Sequence, residues 1–375
     1  MEQNFYTDKL LALKENFSVK IISGLRGVGK TTLLKNFAAT LQAQGEDVIF
    51  IDCEENPRLK TFQQLYEFVD AKTAELEKFY LLIDEIDRVD EWEKAINALF
   101  VGAPAEIYVT GSSQTLAEKI SELLPENCDV LKMSPLSFAE YKKISPTEDA
   151  LENYLHFGAM PAVHDADDKS ARKILRGLAY EIIFDLVEKN SISDASLFRM
   201  LIKFLARNVG NSISVNEFFR SLGEYTFYKS KNFMSGALDS GLFVKVPRFD
   251  IKAGDYLIGG EKFYCADNGI LSALAPVDDD KIFMENVVCN ELLRRGFEVS
   301  TGRFGTMHIN FVATKGDRKI FIQVLPSDGS ITVRRITRPL RALPADCEKI
   351  LISQKRVKTL GDVQCVTLKE FLSED

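Results

Sequence analysis

The sequence predicts an α/β chain of three parts: a parallel five-stranded sheet with crossover helices in residues 1–145, a helical part in 146–276, and a small α/β part in 277–375. Three observations lead there. In the first 140 residues, short apolar runs alternate with longer helical patterns, the order of βα units. From about residue 150 the pattern turns to short amphipathic helices, and over the last hundred residues strands return behind one helix. At 375 residues, with 46% hydrophobic and 27% charged side chains, the chain has apolar surface for more than one core and is not disordered by composition.

The candidate strands of the first part are "VKII" at 19–22, "VIFI" at 48–51, "FYLLI" at 79–83, "EIYVT" at 106–110 and "VLKM" at 130–133. Each is short, apolar and rich in β-branched or aromatic residues, as a strand buried on both faces requires. The intervening "KTTLLKNFAATLQAQ", "TFQQLYEFVDAKTAEL" and "EWEKAINALF" carry helical periodicity. In the middle part, "ASLFRMLIKFLARNV", "SVNEFFRSLG" and "YTFYKSKNFMSGALDSGLFVKV", followed by the extended "EKFYCA", read as three helices and a Gly-bounded hairpin, a winged-helix arrangement. The last part opens on the helix "IFMENVVCNELLRRG" and continues through "FEVS", "MHINFVA" and "KIFIQVL" to "KILIS".

Composition excludes several classes. No apolar run approaches the roughly 18 residues of a membrane span, and the first 20 residues carry charges through their apolar positions, so neither a span nor a leader is expected. Cys53, Cys128, Cys265, Cys289, Cys347 and Cys365 are scattered without metal-site spacing, the pattern of reduced thiols in a cytoplasmic protein. The net charge of −8 argues against a general polyanion binder, yet from Lys281 onward there are 16 Lys and Arg against 11 Asp and Glu. That excess favours an anionic partner for the last part about as much as a plain solvated face.

The chemistry concentrates in "SGLRGVGKTT" at 23–32. Gly24, Gly29, Lys30 and Thr31 satisfy G-x-x-x-x-G-K-[ST] between a strand and a helix, the context that makes the pattern specific. The glycines let the loop turn its N–H groups inward, and the helix N-terminus adds partial positive charge for phosphates. Gly24, Leu25, Arg26, Gly27, Val28, Gly29, Lys30, Thr31 and Thr32 are therefore the expected ATP-binding segment. Lys30 would reach the β- and γ-phosphates, and the Thr31 hydroxyl would ligate Mg²⁺. A hard oxygen partner for the metal is expected at the end of a neighbouring strand, and "FYLLIDE" supplies Asp84, with Glu85 beside it to polarise water. "EIYVT" ends in "GSS", which puts Ser112 or Ser113 where a hydroxyl could sense the γ-phosphate or cap the next helix. Together these features define a P-loop NTPase sheet of the branch with its own catalytic glutamate.

The segments "SGLRGVGKTTLLKNF", "LLIDEIDRVDEWEKAI", "IYVTGSS" and "MSPLSFAEY", in this order, resemble the AAA+ ATPases of bacteria and archaea related to the origin-recognition and STAND branches. "YLHFGAMPAV", "KFYCADNGI" and "MENVVCNELLRRG" extend the resemblance over nearly the whole chain. It implies an AAA+ core, a helical and winged-helix middle, and a C-terminal domain similar to PD-(D/E)xK nucleases. Departures from that pattern temper the expected activities. No arginine stands in "SELLPENCDVLKMSPLSF", and Phe184 precedes Asp185 where such proteins often carry Arg-Asp. An arginine on the transition state contributes about 10³ to 10⁵ in rate, so slow hydrolysis, or a nucleotide-gated binding module, is expected. In the last part the nuclease-like aspartate and glutamate positions read Asn310 and His308, and Gln323, Val324 and Leu325 follow on the next strand, so nuclease activity is not expected. Glu285 and Glu291 remain on a helix and read as a solvated face.

Tyr225, Thr226, Tyr228, Lys229 and Lys231 lie where a recognition helix would meet DNA, although an interdomain strut is the favoured role of such a helix. The partners implied are thus ATP and a DNA or protein partner of the middle and last parts, without a membrane; no oligomeric state follows. His156 and His164 read as core or surface histidines rather than ligands, and Trp92 as core packing.

Overall fold

A computed structural model describes residues 3–113, 115–224, 226–276, 279–326 and 331–373. Tyr225, from the expected recognition helix, lies outside these. The described chain forms two compact units: one runs to Ser134 and takes in Asp239–Gly241, and the other comprises Pro135–Leu238 and Leu242 onward.

The first unit contains α1 (Gln3–Ala12), β1 (Val19–Gly24), α2 (Lys30–Ala43), β2 (Val48–Asp52), α3 (Phe62–Thr73), β3 (Phe79–Asp84), α4 (Trp92–Gly102), β4 (Ala105–Gly111), α5 (Thr115–Leu123) and β5 (Cys128–Met133). All its strand pairings are parallel, in the order β2-β3-β4-β1-β5. Strand β3 is buried along its whole length, and one face of the sheet packs Ile21, Leu81, Ile83 and Val109 against Leu65, Trp92, Ile96 and Leu116 of the helices. Thr61 caps α3 through a reciprocal box with Gln64, which fixes where that helix starts. Because β4 lies between β1 and β3, the carboxyl ends of β1, β4 and β3 stand side by side.

The second unit begins with α6 (Phe138–Ile144), α7 (Ala150–Phe157), α8 (Asp168–Lys189), α9 (Ala195–Arg207), α10 (Val215–Ser221) and α11 (Phe227–Asp239), whose last residue belongs to the first unit. The hairpin β6 (Phe243–Asp250) and β7 (Asp255–Cys265) follows, then α12 (Asn268–Leu274), α13 (Asp280–Arg294), β8 (Glu298–Phe304), β9 (Met307–Lys315) and β10 (Arg318–Leu325). The short α14 (Val333–Ile336) and α15 (Arg338–Arg341) lead to β11 (Glu348–Ser353), β12 (Gln364–Thr367) and α16 (Leu368–Ser373). The expected boundary at residue 276 is not a boundary between compact units. Arg248, Phe249 and Asp250 of β6 pair in parallel with Thr301, Gly302 and Arg303 of β8, so the hairpin extends the C-terminal sheet to seven strands. Long-range pairing of this kind has no local sequence signal.

A polar knot joins the halves of this unit. Asp267 accepts from Ala159 N at 2.6 Å and Ile270 N at 3.0 Å, capping α12 while holding the end of the Gly158 turn. Gly158 has φ 71°, and a Cβ there would lie 2.2 Å from the Asp267 carboxylate. Asn286 of α13 donates to Cys265 O and accepts from Cys265 N, both at 2.8 Å, and also bonds Asn268. These contacts account physically for Gly158 in "YLHFGAMPAV" and Asp267 in "KFYCADNGI". Glu285 and Glu291 are each 3% exposed, so they do not form a solvated face. Glu291 is instead chelated by Arg294 and Arg295, at 2.7 and 2.6 Å.

Burial pushes the Asp267 carboxyl up to about 6 from its ordinary 3.8, against the backbone N–H bonds it accepts. Its folded pKa lies above the unfolded one, so the stability it contributes is complete below about 4 and is lost as pH rises through about 6. In denaturant titrations the wild type should lose, relative to Asp267→Asn, on the order of 3 kcal/mol between those limits. A difference independent of pH would contradict this assignment.

Candidate nucleotide site

The loop between β1 and α2 is shaped by its glycines. Gly27 and Gly29 have φ 88° and 98°, in the left-handed region where a side chain is strained. A Cβ on Gly24 would lie 2.2 Å from Met133 O, while one at Gly29 would meet nothing within 4 Å, so the loop is packed below and open at its tip. No side chain caps α2 at Gly29, leaving the first-turn N–H groups for a ligand. Leu25 and Val28 are buried and anchor the loop; Thr32 is exposed.

Lys30 is 4% exposed and points back into the loop. Its Nζ donates to Gly24 O at 2.9 Å, Leu25 O at 3.4 Å and Ser112 Oγ at 3.0 Å, and lies 3.3 Å from Glu85 Oε1. Ser112, just past β4, donates to the Glu85 carboxylate at 2.9 and 3.1 Å. The strand order thus brings Lys30, Ser112 and Glu85 into one contact group. Glu85 has φ 51°, a left-handed conformation that costs an ordinary residue roughly 1–2 kcal/mol, and its N–H is tied to Thr110 Oγ1 at 2.9 Å.

Asp84 is 1% exposed and accepts from the Thr110 hydroxyl. Burial pushes its carboxyl above the usual range, against hydrogen bonds from Thr110 and Thr31. Thr31 and Asp84, the expected Mg²⁺ partners, are therefore in direct contact. A hydroxyl and a carboxylate converging beside free helix N–H groups form a donor set that fits a hard dication bound with phosphates. Ser113 bonds Thr115 at 2.8 Å at the start of α5, so the two serines divide the site contact and the local helix-start contact between them.

Arg26 turns from the cradle to Glu54 in a bidentate pair of 2.9 and 3.2 Å, and Arg88 reaches the same carboxylate at 3.4 Å. Burial would raise the Glu54 carboxyl, but the Arg26 hydrogen bond and both guanidinium charges hold it below its ordinary value. Glu54, Thr110 and Asp87, whose Oδ2 accepts from Ser112 N and Ser113 N at 3.1 Å, were not legible as site residues. "DEIDR" was the available signal for Asp87 and Arg88.

The remaining expected residues lie elsewhere. Thr226 precedes α11; Tyr228, Lys229 and Lys231 lie on it, Tyr228 83% exposed and Lys229 bonded to Glu224 at 2.6 Å. His164 bonds Asp165 and Ile144 O, His156 lies 3.8 Å from Asp280, and Trp92 is buried. The Cys53 and Cys265 thiols are pushed up by burial to about 12 and stay protonated. No described helix is long and apolar enough to cross a membrane.

Sheet order, loop and acid pair define a P-loop core of the AAA+ class, and an AAA domain model matches residues 16–142. A domain of unknown function matches 148–281. An uncharacterised protein of Haemophilus influenzae is 31% identical over 340 residues, 85% of each chain. One of Methanocaldococcus jannaschii is 27% identical over 334 residues, 82% of this chain and 74% of that one. The chain therefore belongs to the AAA+ ATPase family that it shares with the Haemophilus protein. Among solved structures, the Thermotoga maritima RuvB Holliday junction branch migration motor is 18% identical with TM-score 0.36, over 66% of this chain and 89% of that one. Aquifex aeolicus DnaA bound to AMPPCP is 12% identical with TM-score 0.30, over 62% and 84%.

Proposed function

We propose that the first unit binds ATP with Mg²⁺ and hydrolyses it slowly, and that the nucleotide state is read by the second unit, which takes a DNA or protein partner. The contact group of Lys30, Ser112 and Glu85 carries this reading, because an ammonium, a hydroxyl and a carboxylate meet at the mouth of a phosphate-shaped loop. On binding, Lys30 exchanges its carbonyl and carboxylate partners for phosphate oxygens, and the loop N–H groups donate to the same anion. Thr31 and Asp84 hold the metal, which supplies charge neutralisation at the phosphates. Glu85, released from Lys30, accepts a hydrogen bond from the attacking water, and Ser112 contacts the γ-phosphate.

The rate is expected to be low. Neither family arginine is present in the sequence, and Arg26 is committed to Glu54. The same Lys30–Glu85 pair favours a second reading, binding without turnover, if Glu85 stays engaged by the lysine.

Equilibrium binding of Mg–ATP tests the site. Lys30→Ala should weaken affinity about 10- to 100-fold, the effect of losing a charge-assisted contact. Unchanged affinity in a folded Lys30→Ala protein would refute the assignment; tight binding with no phosphate release would select the second reading.

A further inference from the structure

The second unit carries an open pocket of about 410 Å³ lined by β6, β7, β8, β9, β10 and the start of α13. Arg248, Lys262, Lys281 and Arg303 line it, against the acids Asp279 and Glu285. Both acids are already engaged. Asp279 caps α13, accepting from Lys281 N at 2.9 Å. Glu285 accepts from Tyr264 OH at 3.4 Å and bonds the Asn310 side chain, with Lys281 Nζ at 4.0 Å.

Lys262 differs. Among the described residues its ammonium makes no hydrogen bond or ion pair, and burial pushes it below its ordinary pKa while the Glu285 charge opposes that. A half-buried ammonium held only by the field of one carboxylate can take an anionic ligand as further counter-charge. The guanidinium groups also have donors to spare: Arg248 spends Nη1 on Gly259 O at 3.2 Å, and Arg303 spends Nε on Gly305 O at 3.0 Å. The regular pairing is interrupted here by register shifts between Val246 and Arg248 in the β6–β7 pair and between Ser300 and Gly302 in the β8–β9 pair.

The donor set does not suit a cation. Asn310 Oδ1 accepts from Val324 N at 3.0 Å, and Gln323 Oε1 accepts from Asn310 N at 3.3 Å. Gln323 also donates to His308 O at 2.8 Å. Where two carboxylates could have presented oxygens to a metal, two carboxamides stitch β9 to β10. No group of three or more His, Cys, Asp or Glu set to hold a metal occurs among the described residues.

We propose that this pocket binds a phosphomonoester without a metal ion, with Lys262, Arg248 and Lys281 donating to its oxygens. A dianion matches the surplus of cations, and guanidinium forks suit phosphate oxygens. The volume admits a nucleotide-sized molecule, either free or as the 5′ end of a strand. The site is independent of the loop in the first unit.

The test uses the full chain carrying Lys30→Ala, in EDTA, so that the loop and metals contribute nothing. Anisotropy compares labelled oligothymidylate bearing a 5′-phosphate with the same strand ending in 5′-hydroxyl, and thymidine 5′-monophosphate serves as competitor. The phosphorylated strand, the monophosphate, or both should bind at least 10-fold tighter than the hydroxyl strand, and competition assigns the source. Lys262→Met should weaken binding about 10- to 100-fold. Its unfolding midpoint is measured alongside, because Lys262 also offsets the charge of the buried Glu285. Should that variant fail to fold, Lys281→Gln reads the same contact at the rim. Equal binding of both strands together with no tighter binding of the monophosphate, binding that needs Mg²⁺, or undiminished affinity in the folded variants would overturn the proposal.

Discussion

Glu85→Gln should lower steady-state phosphate release by about 10² to 10⁴ while leaving Mg–ATP affinity equal or tighter. Glutamine keeps the shape and the acceptor for Ser112, but it cannot take partial charge from water, so the loss falls on chemistry. It also removes a negative charge 3.3 Å from the Lys30 ammonium, which frees the lysine for phosphate. Steady-state release alongside equilibrium binding separates the two effects. Turnover unaffected by the change would remove Glu85 from the water-activating role. Because wild-type turnover is expected to be slow, single-turnover measurements give the cleaner ratio.

Gly269→Ala should destabilise the second unit by about 3 kcal/mol. A Cβ at Gly269 would stand 2.0 Å from Phe157 O and 2.7 Å from its carbonyl carbon, so α12 approaches the end of α7 backbone to backbone. No rotamer change relieves such a clash. It would also strain the adjacent knot, where Asn268 donates to Leu155 O at 2.8 Å and Asp267 holds Ala159. Gly177 is the internal comparison. It lies within α8, and a Cβ there meets nothing within 4 Å. Gly177→Ala should therefore stabilise by roughly 0.5–1 kcal/mol through helix propensity alone. Chemical denaturation of both variants reads the contrast; a harmless Gly269→Ala would mean the helices separate at little cost.

What was legible follows physical locality. The strands of the first unit, expected at 19–22, 48–51, 79–83, 106–110 and 130–133, occur within two residues of those limits, because each is a short apolar run between turn signals. The loop and the Asp84–Glu85 pair were readable for a related reason: phosphate chemistry demands particular residues at fixed offsets along one stretch of chain. Ser112 was readable as a strand end, although its bridge between Lys30 and Glu85 depends on β4 lying between β1 and β3. The rest depends on distant partners. Glu54 gathers Arg26 and Arg88 from 28 and 34 residues away, and Asp267 reaches Ala159 across 108. Glu285 and Glu291 looked like a polar helix face because periodicity does not reveal that α13 is covered by β7, β8, β9 and β10. Lys262 sits in a strand with nothing local to mark it, and its place beside Arg248, Lys281 and Arg303 comes from the pairing of distant strands.

A structure with a non-hydrolysable ATP analogue and Mg²⁺ tests the nucleotide site most directly. The expected result has the phosphates on the N–H groups of Gly27 to Thr32, Lys30 Nζ moved from Gly24 O and Glu85 onto the phosphate oxygens, and the metal between Thr31 and Asp84. An analogue bound away from the loop, or a Lys30 still paired with Glu85 beside bound phosphates, would contradict it.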